Sequence, residues 1–232
     1  MKLLIVLTSH SQLGETQLGN SEGKTGFWIE EFAAPYYLFE QNGYTITLAS
    51  PRGGQPPIDP ASDTPQTQTP VLKQYKNDTE LLKKMKHTVP LSAIDAVDYD
   101  AVFYPGGHGP MWDLVNDKDS IALLEFFRNN NKPIAAVCHG PVVLLHAIDA
   151  QGDLLLKGKK VTGFSNTEEA AIKLTKVVPF LLEDQLKIKG GLYSKAADWK
   201  AHVVVDGLLI TGQNPASSEG VAKALITVLE KK

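Results

Sequence analysis

The chain's one cysteine, Cys138, stands in Ile134-Ala-Ala-Val-Cys-His-Gly-Pro141, where an unbroken apolar run stops abruptly. Such a run reads as a buried strand, and the glycine two residues past the cysteine lets the chain turn at once into a helix, expected over Gly140–Ile148. This strand–turn–helix arrangement is a nucleophile elbow carrying sulfur where serine oxygen is usual. Backbone N–H groups and the positive end of the following helix favour a thiolate there. An isolated cysteine is more often an inert core residue, and the elbow context is what argues otherwise. His139 offers its backbone N–H to an oxyanion beside the sulfur, while its side chain is expected to point away and to move protons once something orients it. Gly106, Gly107 and His108 follow a second strand-like run in Pro105-Gly-Gly-His-Gly-Pro110. Small residues at the carboxyl end of a strand let backbone N–H groups approach a substrate oxygen. The segment also fits an ordinary turn, and it is not the G-x-x-x-x-G-K-[ST] phosphate loop.

Two acidic pairs bear on that chemistry. In Trp28-Ile-Glu-Glu-Phe-Ala-Ala-Pro35, helical spacing puts Glu31 on the face of Phe27, Trp28 and Pro35, so its carboxyl turns inward. A half-buried carboxyl keeps its proton to a higher pH and hydrogen-bonds a thiolate as its acid. Glu30 reads as a solvated residue near a helix start. Glu168 and Glu169 follow Gly163-Phe-Ser-Asn166. Asn166-x-x-Glu169 also fits a capping box, so the residues leave open whether Glu169 orients a histidine or closes a helix. His10, His87, His146 and His202 show neither i, i+4 pairing nor H-x-H spacing, and no metal or cofactor is expected.

The elements that must position these groups alternate between strand and helix, which predicts a mostly parallel sheet covered on both faces. Lys2–Thr8 reads as the first buried strand, followed by a polar, Gly-rich loop through Lys24. Gly26–Gln41 is expected as a helix with Pro35 inside it, and Tyr44–Ala49 as the second strand. Ser50–Pro70, rich in Pro, Gly, Asp and Thr, reads as one long loop. Asn77-Asp-Thr-Glu80 looks like a capping box opening a short helix. Strands are expected at Asp100–Tyr104, Pro133–Val137 and Lys160–Gly163, and helices at Asp117–Asn130 and from Asn166. His202–Val205 and Leu208–Thr211 flank Asp206-Gly207, a two-residue hairpin signal, and Asn214-Pro215 opens the last helix.

Composition removes several classes of function. The 232 residues are 43% hydrophobic and 21% charged with a net charge of −3, which is too apolar for disorder and too acidic to advertise nucleic acid. One cysteine allows neither an intrachain disulfide nor a Cys₄ zinc site. The early apolar run Leu3–Leu7 is too short to cross a bilayer or serve as a signal segment, so no membrane partner and a cytoplasmic location are expected. With no repeat, low-complexity tract or linker, residues 1–232 read as a single domain.

Taken together, Thr25-Gly-Phe-Trp-Ile-Glu-Glu-Phe-Ala-Ala-Pro35, Pro105-Gly-Gly-His-Gly109, Ala136-Val-Cys-His-Gly-Pro141, Val161-Thr-Gly-Phe164 with its acidic pair, and Thr211-Gly-Gln-Asn-Pro-Ala-Ser217 are highly specific. On these segments the chain resembles the ThiJ/PfpI superfamily of class I glutamine amidotransferase-like proteins over nearly its whole length. Its nearest branch looks like the heat-shock-chaperone and glutathione-independent glyoxalase (glyoxalase III) group. The resemblance implies a flavodoxin-like, doubly wound α/β sandwich and frequently a homodimer. It places the reactive cysteine on Cys138, the adjacent histidine on His139, that histidine's acid on Glu169 and the glutamate touching sulfur on Glu31. Oxyanion donors fall on Gly107 and the His139 backbone. The late His-x-Glu of true glutamine amidotransferases is missing, which argues against glutamine hydrolysis, and Val177–Lys200 matches nothing residue by residue.

The leading expectation is therefore a small-molecule aldehyde enzyme of the glyoxalase III type, turning methylglyoxal into D-lactate through a cysteine hemithioacetal. A cysteine peptidase, amidase or protein deglycase would use the same site. A stress chaperone or redox sensor would use the fold and the thiol without turnover.

Overall fold

Leu3, Leu4, Ile5 and Val6 are all buried, as a strand covered on both faces requires of an unbroken apolar run. The computed structural model describes residues 1–14 and 23–231. Its strands are β1 (Lys2–Val6), β2 (Gln12–Leu13), β3 (Gly23–Lys24), β4 (Thr45–Ser50), β5 (Val89–Pro90) and β6 (Ala101–Tyr104). After these come β7 (Ile134–Val137), β8 (Lys160–Val161), β9 (Leu192–Tyr193), β10 (Val203–Asp206) and β11 (Leu209–Gly212). Seven form one sheet in the order β10-β11-β7-β6-β1-β4-β5, parallel everywhere except between β10 and β11. The helices around it are α1 (Ile29–Gln41), α2 (Pro70–Asn77), α3 (Thr79–Met85), α4 (Lys118–Asn129), α5 (Asn166–Ala171), α6 (Leu182–Ile188) and α7 (Ser218–Glu230). This is the expected flavodoxin-like, doubly wound arrangement.

Several local expectations shift. The first helix starts at Ile29 rather than Gly26, because Phe27 is held extended. Its N–H donates to Pro57 O at 2.9 Å, and its carbonyl accepts from Asp59 N at 3.0 Å. A Cβ on Gly26 would lie 2.1 Å from Pro57 O, so only glycine permits this approach. The Ser50–Pro70 loop is thus tied to the start of α1, and it carries two 3-10 turns, Pro60–Asp63 and Pro65–Thr67. Thr69 then caps α2, a helix the sequence reading passed over, by accepting from Leu72 N. Asp78 caps α3 in the same way. Gly140–Leu145 is a 3-10 helix rather than the expected α-helix. The Lys160–Gly163 strand shortens to β8, which pairs with β9 outside the central sheet. Gly207 and Leu208, one residue later than expected, make the β10–β11 turn, with Gly207 at φ 60°. Asn214-Pro215 opens a 3-10 turn, Pro215–Ser217, that runs into α7. Residues 15–22 of the polar loop through Lys24 lie outside the described residues.

Candidate active site

At the carboxyl end of β7 the backbone enters the left-handed region, with Cys138 at φ 61°. For a residue with a side chain this costs on the order of 1–3 kcal/mol and persists only where the surroundings impose it. They do so here: Cys138 N donates to Gly212 O, and Cys138 O accepts from Phe164 N, each at 2.9 Å.

His139 then turns back toward the sulfur. Its Nδ1 lies 3.4 Å from Cys138 Sγ, which corrects the expectation that its side chain points away. Its Nε2 lies 2.7 Å from Glu169 Oε2, and His108 Nε2 lies 2.9 Å from Glu169 Oε1. Burial pushes the Glu169 carboxyl up, but the two imidazoles outweigh it and hold it well below the usual carboxylate range. An ionised carboxylate only accepts, so both Nε2 atoms carry hydrogen. Burial and the neighbouring His108 hold the His139 imidazole below its ordinary pKa, and it is therefore neutral with a free Nδ1 lone pair facing the thiol.

Glu31 closes the other side. It is fully buried; its Oε2 accepts Gly106 N–H at 2.8 Å, and burial pushes its pKa up to about 8. The elbow alone led to the expectation of an acidic thiol. Instead, burial pushes the Cys138 thiol up, and the charge of an ionised Glu31 pushes it further, against a Gly107 N–H that favours the anion. Below about pH 8 Glu31 holds its proton, so that second push is absent and a carboxyl O–H can donate to a sulfur anion. Gly107 makes its approach at φ 84°, and a Cβ there would sit 2.3 Å from Gly26 O.

The acidic pair divides its work. Ser165, not Asn166, caps α5, and the reciprocal partner is Glu168 rather than Glu169. Glu168 also accepts from Trp199 N at 2.9 Å, Gln213 Nε2 at 3.1 Å and Asn214 Nδ2 at 2.8 Å. Glu169, one position on, points to a different side of α5 and is left to the histidines. The sequence does not reveal this hub: Asn214 reads only as a cap, and Trp199 lies in the unmatched segment. The Phe164 ring lies 4.4 Å from the His139 ring, tilted by 36°, and Trp199, 47% exposed, packs 5.9 Å from Phe164.

The structure thus gathers Cys138, His139, Glu169, Glu31, Gly106, Gly107 and His108 into one site. The other histidines stay apart: His10 stacks on Trp112, His202 Nε2 lies 3.0 Å from Ser194 Oγ, and His87 and His146 are exposed. His108, His139 and Glu169 present ligand atoms within 4.8 Å of one another, a cluster that local spacing could not reveal. No helix among the described residues is long and apolar enough to cross a membrane.

A mostly parallel sheet covered by helices, with a cysteine elbow at the carboxyl end of a central strand, defines a flavodoxin-like α/β protein. The chain belongs to the DJ-1/PfpI family, whose model matches residues 25–228. It is 29% identical over 238 residues to Glyoxalase 3 of Candida albicans, covering 99% of each chain. To glutathione-independent glyoxalase HSP31 of Saccharomyces cerevisiae it is 28% identical over 238 residues, covering 99% of this chain and 98% of the relative. Among solved structures, the Rapid Encystment Protein of Francisella tularensis matches with a TM-score of 0.90 at 38% identity, covering 98% of each chain. The full-length likeness to named glyoxalases supports an enzyme.

Proposed function

We propose that the chain is a glutathione-independent glyoxalase that converts methylglyoxal to D-lactate. The observation that carries this reading is the Cys138–His139–Glu169 relay facing a Glu31 that keeps its proton to about pH 8. His139 Nδ1 takes the thiol proton, and the sulfur adds to the aldehyde carbon. Glu31 and the N–H groups of Gly107 and His139 stabilise or protonate the new oxyanion, giving a hemithioacetal. The Glu31 carboxylate removes the former aldehyde hydrogen as a proton while the His139 imidazolium protonates the ketone oxygen, giving an enediol. Glu31 returns its proton to the adjacent carbon while His139 takes the hydroxyl proton from the sulfur-bearing carbon, giving a thioester. Water then releases lactate and the thiol, so the sum is methylglyoxal plus water. Cys138 is only 4% exposed, which suits a small aldehyde better than a peptide.

The test is D-lactate formation from methylglyoxal by wild type and Cys138→Ala. Equal rates would overturn the reading. The triad geometry also suits a cysteine amidase, and Cys138-dependent release of a fluorogenic amine, without lactate formation, would favour that alternative. We further propose that residues 1–232 act as one domain, in a cytoplasmic homodimer.

A further inference from the structure

The His108–His139–Glu169 cluster does more than orient one imidazole. We propose that these three side chains form a binding site for a divalent transition-metal ion of the zinc class, with Cys138 as a partner of one ligand rather than as a ligand itself.

Two imidazole nitrogens and one carboxylate form a donor set that zinc uses with a fourth position left open. The three residues come from different parts of the fold: the loop after β6, the elbow after β7, and α5. All three are buried, and their ligand atoms converge to within 4.8 Å. The present contacts of 2.9 and 2.7 Å already aim both Nε2 atoms at the carboxylate. Zinc–nitrogen and zinc–oxygen bonds of about 2.0–2.2 Å set tetrahedral ligand atoms roughly 3.3–3.5 Å apart, so an inserted ion would widen the two N···O contacts by about half an ångström. The imidazole centroids lie 4.0 Å apart, and Phe164 lies against His139.

A ligating histidine characteristically donates its other ring N–H to an acceptor. For His139 that acceptor is ready-made in Cys138 Sγ, 3.4 Å from Nδ1. On binding, each Nε2 would offer a lone pair to the ion and His139 would carry its proton on Nδ1, so the bond to sulfur reverses direction. A His139 in that tautomer cannot take the thiol proton, and the ion therefore switches off the proton transfer invoked above. This last consequence rests on the proposed reaction, whereas binding does not.

The experiment titrates metal-free protein with zinc by calorimetry and with cobalt by visible absorption, using wild type, Cys138→Ala and His108→Gln. The expected result is one ion per chain, ligand-field bands without sulfur-to-cobalt charge transfer, and the same bands in Cys138→Ala at an affinity about 10–100-fold weaker, from loss of the acceptor for His139 Nδ1–H. His108→Gln should bind at least about tenfold more weakly. Substoichiometric binding, a charge-transfer band that disappears with Cys138→Ala, or unchanged affinity in His108→Gln would each overturn the proposal. If His108→Gln does not fold, the cobalt spectra of the other two proteins decide it. None of these readings uses glyoxalase turnover, so a failed metal site and a failed enzymatic reading are distinguishable.

Discussion

Glu31 connects the acid–base chemistry of the pocket to the stability of the fold. Its folded pKa of about 8 lies above the ordinary 4.5, so folding favours its protonated form. Below pH 4.5 the carboxyl is neutral folded or unfolded and costs nothing. As pH rises from 4.5 to about 8 the unfolded chain releases the proton that the folded chain keeps, and stability falls. The loss reaches about 5 kcal/mol at pH 8 by linkage. Glu31→Gln should therefore melt increasingly above wild type across that window and no further beyond it, as pH-dependent thermal melts would show. Turnover by wild type should fall as pH passes about 8, where Glu31 loses its proton. The Gln variant should be slower by about 10²–10⁴-fold and lack that alkaline limb in a pH–rate profile. Cys138→Ala should lose about 10⁴-fold or more in lactate production.

The elbow is where local geometry and packing conflict most openly. Glycine adopts positive φ without the Cβ penalty, so Cys138→Gly should melt above Cys138→Ala by about 1 kcal/mol although both are inactive. Paired chemical denaturation curves would measure the difference, and equal midpoints would mean that φ 61° is not imposed by the fold. The elbow was legible because a buried strand, a cysteine and a following glycine are all local signals. The division of labour between Glu168 and Glu169 was not. A capping box reads equally well from Ser165 or Asn166, and only the donors arriving from Trp199, Gln213 and Asn214 settle which carboxylate is occupied. The direction of the His139 side chain is illegible for a related reason: adjacency in sequence does not give the χ angles that the Glu169 and Phe164 contacts impose.

The mostly parallel central sheet and its one antiparallel pair follow from alternating apolar runs and a hairpin signal, which is why that much of the architecture could be foreseen. What could not be foreseen is how the long segment after β4 joins the site. Asp59, fixed by Thr25 Oγ1 at 2.9 Å, contributes charge that raises the Glu31 pKa. Asp59→Asn should shift the alkaline limb of the rate profile to lower pH, and an unmoved limb would detach that loop from the chemistry. The anchoring of the elbow by Gly212 has a consequence during synthesis. A chain that has left the ribosome only as far as Glu169 already contains Glu31, Cys138, His139 and Glu169, yet it lacks the carbonyl that receives Cys138 N–H and the β11 strand paired with β7. An unfinished polypeptide thus carries every reactive group without the geometry that arms them, and chemistry waits for translation of the 43 residues from Ala170 to Gly212.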